Sequence, residues 1–357
     1  RDAIKEYGAD SIRLAMLSSA ELLQDADFSF DTVKGIRSRL YDIYNAAVEC
    51  LDHDELHGAV RTEKKTELED RWLVSRLQRV IADTTILMDK LRVREALHNI
   101  LYLLEQDLYW YKRRTRSKDR WDSIDARSIM AQFIGLRVRM LAPFAPFLCE
   151  EIWEKIRILF DSPLSSSPSI VFSGWPVANP EVEDQTAEES EEIIQNVLLD
   201  IQNIVKVTKL VPNKIYIYVS AKWKRKIYQK ILEIILLENQ AKFGDIMKAL
   251  SKDPELSKTL KKNVNLIHKI IEDIISISIE VRRRRLELGE SFEELPAIKD
   301  AEKMISAESS TRPVEILVFQ EEDQRGSGNV DFHSQRENRM HLKAGLSRPF
   351  KPAIYIE

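Results

Sequence analysis

Cations crowded into a few positions are the groups of this sequence best placed to do chemistry, because like charges held side by side call for an anion between them. Lys222, Lys224, Arg225 and Lys226 surround Trp223 at the start of a helical segment, where positive charge opposes the helix dipole. A phosphate at that end would be attracted by dipole and cations together, so the cluster is predicted to contact a nucleic-acid backbone. Tyr109-Trp110-Tyr111-Lys112-Arg113-Arg114 closes another helix. Its aromatic residues can complete a core while its cations sit at the negative helix end, and Lys112, Arg113 and Arg114 are equally candidates for phosphate. Arg282 to Arg285 form a third run, read as readily as a solvated turn as an RNA contact.

Other chemistry finds little support. His53 and His57 stand four residues apart, a spacing that can bind zinc on a helix, but Asp54 occupies the place where a metalloprotease needs glutamate, so no metal is expected. His98, His268, His333 and His341 are scattered and lie near no serine or cysteine that would complete a nucleophilic triad. No glycine-rich phosphate cradle is present. By its own residues the chain is expected to hold no catalytic residue and no cofactor.

Net charge is -4 over 357 residues, yet residues 201 to 290 hold 19 Lys or Arg against 10 Asp or Glu, a local +9 that leaves -13 elsewhere. A basic module beside an acidic one is a nucleic-acid arrangement, with a mixed solvated surface as the plainer alternative. No apolar run approaches the ~18 residues of a membrane span, and no signal segment opens the chain, so a cytoplasmic home is expected. Cys50 and Cys149 are far apart and are read as reduced thiols. Arg1 in place of methionine, with Met16 the first methionine, suggests that the chain starts inside a longer one.

The elements that must position these groups are mostly helical. Asp10 opens a short helix as its cap. Val33, Ile36, Leu40, Ile43, Tyr44 and Ala47 recur at helical spacing, and the pattern returns from Leu73 to Met88 and from Val93 to Leu108, as two helices or as one broken near Asp89. A fourth helix from about Asp125 to Leu141 is interrupted by Pro143, and Pro146 suits the first turn of the next. Residues 31 to 160 therefore read as an antiparallel bundle. Ser, Pro, Asp and Glu from Asp161 to Glu192 mark a boundary. Beyond it come a helix near Glu192 to Val207, a strand at Ile215 to Val219, and a basic helix from Lys222 with more helix to about Ile275. Strands at Val314 to Phe319 and Ala353 to Ile356 flank a polar loop containing Gly326 and Gly328.

Three stretches carry a resemblance. Tyr7-Gly8-Ala9-Asp10-Ser11-Ile12-Arg13-Leu14 resembles the segment after the KMSKS loop of class I aminoacyl-tRNA synthetases of the leucine, isoleucine and valine group. Leu141 to Trp153 (LAPFAPFLCEEIW) resembles the helix junction of that group's anticodon-binding bundle, with Phe147 where many members have histidine, and Gly174-Trp175-Pro176 resembles the Trp-Pro pair that follows it. Lys214 to Trp223 and Pro352 to Glu357 are similar to the C-terminal domain of the archaeal or eukaryotic-cytosolic leucine enzyme, and the resemblance is weakest from Ile279 to Glu294 and from Gln320 to Arg348.

The resemblance implies a mainly α fold: a segment at 1–32 following the catalytic domain, an anticodon-binding bundle at 33–177, a linker at 178–191, and a small tRNA-binding α/β domain at 192–357. It implies a fragment of a leucine-tRNA ligase whose bundle positions the tRNA and whose last domain selects its long variable arm. Asp10 and Arg13 would support the missing catalytic loop through a cap and an ion pair. HIGH, KMSKS and the editing domain, with ATP and Mg2+, would belong to upstream domains. A monomer acting on leucine tRNA is expected. The alternatives are the matching part of an isoleucyl, valyl or methionyl enzyme, and a non-enzymatic helical adaptor.

Overall fold

The computed structural model describes residues 2–21, 24–25, 27–51, 66–160, 167–237, 242–253, 263–310, 312–321, 340 and 342–357. The His53 and His57 pair, His333, His341 and the Gly326 and Gly328 loop lie outside the described residues. Two units divide the chain, Arg1–Ala187 and Glu188–Glu357. Among the described residues, no helix is long and apolar enough to cross a membrane.

The first unit is a helical bundle: α1 (Asp2–Tyr7), α2 (Ala9–Ser19), α3 (Phe30–Leu51), α4 (Leu68–Asp89), α5 (Val93–His98), a π-helical segment (Asn99–Leu103), α6 (Leu104–Ser117), α7 (Ile124–Leu141) and α8 (Pro146–Ile156). Glu67 and Asp70 form a reciprocal capping box that starts α4. Its end is equally defined. Leu91 adopts φ 58°, and the Arg92 and Leu91 amides donate to the Leu87 and Met88 carbonyls at 2.8 and 3.0 Å. This is a Schellman closure made without glycine, and it settles the break near Asp89 as two helices. α6 closes the same way at Asp119 (φ 57°), with the Arg120 amide donating to the Thr115 carbonyl. That turn carries Lys118 and Arg120 onto the acidic first turn of α4. Lys118 Nζ meets Glu69 at 2.7 Å, and Arg120 meets Asp70 at 2.7 Å and Glu69 as well, while the Tyr111 hydroxyl donates to Asp70 at 2.8 Å. Both carboxylates are buried, so each needs these partners.

The π segment has an identifiable cause. Arg137 on α7 is 2% exposed, and its guanidinium donates to the carbonyls of Ile100 (3.0 Å) and Leu101 (3.3 Å) and to Glu105 (2.7 Å). A side chain inserted on consecutive carbonyls competes with the α-helical ladder and widens the turn. Burial lowers the Arg137 pKa, against the pull of Glu105 and with the help of the Arg39 charge.

α7 ends before Pro143, and Pro146 occupies the first turn of α8, as the spacing of the prolines predicts. Asp10 does not cap its own helix. Its Oδ2 accepts the Leu148 amide at 2.8 Å, so it caps α8, while Arg13 donates to the carbonyls of Phe144 (3.1 Å) and Pro143 (3.2 Å). The expected ion pair of Arg13 is thus replaced by two carbonyls. Farther on, residues 175 to 184 form a strap on α4. Trp175 donates to Thr85, the Asn179 amide to Gln78, the Asp184 amide to Ser75, and Arg71 to Asp184.

The second unit contains α9 (Gln185–Thr208), β1 (Lys214–Val219), α10 (Lys222–Leu237), α11 (Phe243–Leu250), α12 (Val264–Ser276), α13 (Ile279–Leu288), α14 (Glu294–Asp300), α15 (Glu302–Ser309), β2 (Glu315–Gln320) and β3 (Ala353–Ile356). Strand order is β2-β1-β3, with β1 parallel to β2 and antiparallel to β3. A parallel neighbour needs a crossover, which α10 to α15 supply. Central β1 is buried on both faces from Ile215 to Val219, in keeping with its unbroken apolar and aromatic run. α9 starts seven residues before the sequence expectation, and the Arg282 to Arg285 run lies on α13 rather than on a solvated turn.

The Asp10 cap generates the first prediction. Asp10→Ala should lower unfolding free energy by about 1 to 2 kcal/mol, read as a urea midpoint, because the α8 amide loses its acceptor. An unchanged midpoint would mean the cap contributes nothing.

Candidate nucleic-acid interface

Charge conflict at the start of α10 is resolved inside the second unit. Lys224 is 1% exposed, and its ammonium meets Glu321 (2.9 Å) and the carbonyls of Gly345 (2.9 Å) and Ser347 (2.7 Å). Glu321 also accepts the Ala221 amide at 3.1 Å. The anion that the helix dipole and the cations call for is therefore this carboxylate. Arg225, also buried, pairs with Glu294 and lies over Phe292 and Phe350, at 5.4 and 5.0 Å from the ring centroids. Burial pushes the Glu294 carboxyl up, and Arg225 and the Phe350 amide oppose it. Lys226 shares Asp253 with Lys230. Among these four sequence candidates only Lys222 is exposed.

The expectation of a phosphate contact is therefore corrected for Lys224 and Arg225. A phosphate cannot reach a buried cation without first breaking a desolvated ion pair. The third run behaves alike. Arg285 is buried against Glu189 (2.7 Å) and the Tyr228 hydroxyl (3.3 Å), with its guanidinium 4.1 Å from the Phe350 centroid. Arg284 meets Glu189 at 2.9 Å and Glu192 at 2.6 Å. Burial lowers the pKa of both arginines, but the Glu189 charge more than reverses this and holds them above their ordinary value. Sequence reasoning missed Glu188, Glu189 and Glu192 because they stand in an acidic stretch that reads as a connector. Their signal was a block of acid matching a block of arginine.

In the first unit, Arg114 is wholly buried and is likewise withdrawn from phosphate. Lys112 Nζ meets Glu49 at 2.9 Å; Arg116 (3.4 Å) and the Trp121 indole (3.0 Å) share the same carboxylate. Lys112, Arg116 and Arg127 all approach the Trp121 ring, at 5.2, 5.3 and 4.9 Å. Burial pushes Glu49 up, and Lys112, Trp121 and Arg116 outweigh it, holding the carboxyl below its ordinary 4.5. Arg113 is half-buried over Tyr109 (5.4 Å) and Trp110 (5.0 Å), and Tyr109 is 62% exposed. The aromatic trio therefore divides, with Trp110 and Tyr111 in the core and Tyr109 outside. Asp10 and Arg13 act on the α7–α8 junction, where Asp10 Oδ2 and the Arg13 guanidinium are hydrogen-bonded within the bundle.

Among the described residues no cluster of three or more His, Cys, Asp or Glu could hold a metal ion. Cys50 and Cys149 are free and buried; burial pushes the Cys50 thiol up to about 11 and raises Cys149 as well.

Residues 70–219 match the anticodon-binding domain of tRNA ligase. Leucine–tRNA ligase of Methanosarcina acetivorans is 31% identical over 99% of this chain, which covers 33% of that protein. The ligase of Methanococcoides burtonii is 30% identical over 100% of the chain and 33% of its own length, and that of Pyrococcus abyssi 29% over 100% and 32%. The chain thus spans about a third of the curated relatives it matches. A crystal structure of an Agrobacterium radiobacter LeuRS-tRNA-LeuAMS ternary complex superposes with TM-score 0.38 at 17% identity, over 72% of this chain and 26% of that one, too loosely to bear on the fold.

Two outcomes check the internal neutralisation. Lys224→Ala should cost about 3 to 5 kcal/mol of stability by stranding buried Glu321; an unchanged urea midpoint would return Lys224 to the surface. Glu49 has a folded pKa below its unfolded one, so its contribution is complete above 4.5 and is lost as pH falls through the lower folded value. The wild-type thermal midpoint should therefore drop more steeply with acid below that pH than the Glu49→Gln midpoint; parallel curves would refute the pairing.

Proposed function

This chain is a relative of the archaeal leucine–tRNA ligases along nearly all of its own length, and from that premise we propose that it is the tRNA-binding portion of such an enzyme. The first unit positions the body of leucine tRNA, and the second selects its long variable arm. Attachment of leucine, with ATP and Mg2+, falls to the remainder of the enzyme, which acts as a monomer in the cytoplasm. The observation that carries this reading is the match of an anticodon-binding domain inside a sequence similar from end to end to one third of those ligases.

Charge supports the assignment of the second unit, though through different residues from those that clustering singles out. With Lys224, Arg225 and Arg285 buried, the exposed cations between Lys222 and Arg285 among the described residues are Lys222, Lys242, Lys248, Lys252, Lys269 and Arg283. Spread over α10 to α13 and their turns, these can follow a phosphate backbone without forming one dense pocket. Of the cations first singled out in the bundle, half-buried Arg113 lies beside exposed Tyr109 and stays in the proposed contact set with Lys222. Lys112 and Lys226 are half-buried on carboxylates and would have to exchange one anion for another.

Filter binding over a salt series tests this. Leucine tRNA should bind with log affinity falling linearly in log salt, and more tightly than a tRNA with a short variable arm. Equal binding of isoleucine tRNA would move the chain to a sister enzyme, and absence of tRNA binding at low salt would favour a protein-binding adaptor.

A further inference from the structure

The π segment of the bundle carries an arrangement that none of the clustered cations offers. His98, the last residue of α5, stacks on Tyr102 with ring centroids 5.4 Å apart and planes inclined by 18°. Arg39 on α3 places its guanidinium 4.0 Å from the centroid of the same Tyr102 ring. His98 is exposed, while Tyr102 and Arg39 are half-buried. Arg94, also exposed, stands four residues before His98 and so shares its helix face.

Two features separate this group from an ordinary solvated face. Neither Arg39 nor Arg94 pairs with a carboxylate among the described residues, and nearby acids are committed elsewhere: Glu95 holds Arg92, and Glu105 holds Arg137. The ladder is also built from beneath. Arg137 takes the carbonyls of Ile100 and Leu101, fixing the π turn that presents Tyr102 beside His98 and Arg39. π segments are rare, and they occur often at functional sites.

We propose that His98, Tyr102 and Arg39 form a stacking platform for an unpaired base of RNA, with Arg94 and Arg39 meeting the adjoining phosphates. An exposed imidazole backed by a tyrosine offers a base a flat, polarisable face. A guanidinium lying on the same ring adds cation–π attraction and counter-charge. Exposed carboxylates would repel this ligand, and Glu95, three residues before His98, is neutralised by Arg92. The proposal rests on the tRNA-binding reading and deepens it by naming the residues of the first unit that touch RNA.

Binding of a leucine-tRNA transcript to the whole chain, with thermal unfolding measured in parallel, tests the platform. His98→Ala should weaken binding about fivefold or more at every salt concentration, since stacking releases no counterions. Arg94→Gln and Arg39→Gln should each reduce the salt slope by about one. Because His98 and Arg94 are exposed, neither variant should shift the unfolding midpoint. If wild-type chain binds the transcript and His98→Ala and Arg94→Gln bind as it does, the platform is refuted while the tRNA reading stands. If wild-type chain binds no transcript, the tRNA reading itself fails and takes the platform with it.

Discussion

A cation taken out of water must bring its counter-charge with it, and both units are organised by that requirement. Desolvating an ammonium or guanidinium group costs several kcal/mol, which only close carboxylates and carbonyls can offset. In the first unit the debt of Lys118 and Arg120 is met by Glu69 and Asp70, which locks the end of α6 to the start of α4. In the second, Lys224 on Glu321 ties α10 to the chain beyond β2, Arg225 on Glu294 ties it to α14, and Arg284 and Arg285 on Glu189 join α13 to α9. Such pairs add little over a well-packed apolar substitute, but each tolerates few geometries and punishes the loss of one partner heavily. Their effect is to fix which helix lies against which.

The same logic governs backbone at the helix ends. Pro146 cannot donate, and the α8 amides after it need acceptors that the local sequence does not provide. Asp10 supplies one from more than a hundred residues away, and Arg13 takes up the carbonyls that the α7–α8 turn leaves over. Two stretches recognisable separately in the sequence are thus the two halves of one contact. The placement of Asp10 and Arg13 three residues apart on α2 suits this geometry, since one helix face must offer an acceptor and a donor to the same turn.

What the sequence reveals is periodic or local. Helix faces, the proline elbow and three short strands follow from spacing and from φ restrictions, and the structure reproduces them within a few residues except at the start of α9. Partners of the cations did not show, because a charge run gives no sign of whether an acid block elsewhere in the chain comes to meet it. Lys222 to Lys226 at a helix start read as a demand for phosphate, and the demand was real, but Glu321 answered it. The acidic stretch before Glu192 looked like connector for the same reason. Its function as counter-charge exists only once α13 lies beside α9. The π segment had no local signature either, since it depends on Arg137 arriving from α7.

A nucleic-acid surface therefore has to be sought among cations that folding does not consume. Dense runs are the poorest guide, because neighbouring like charges repel and the fold profits by burying counter-charge among them. Isolated cations beside exposed aromatic rings are a better one, since nothing internal competes for the guanidinium and the ring still has a face to offer. Arg39 lies on half-buried Tyr102, which exposed His98 stacks upon, whereas Lys224, Arg225 and Arg285 are buried on carboxylates. Phosphate affinity in a chain with a net charge of -4 then depends on where the unspent charges lie. Carboxylates such as Glu69, Glu321 and Glu189 are spent on cations within their own unit, so the cations available to a polyanion are those left exposed.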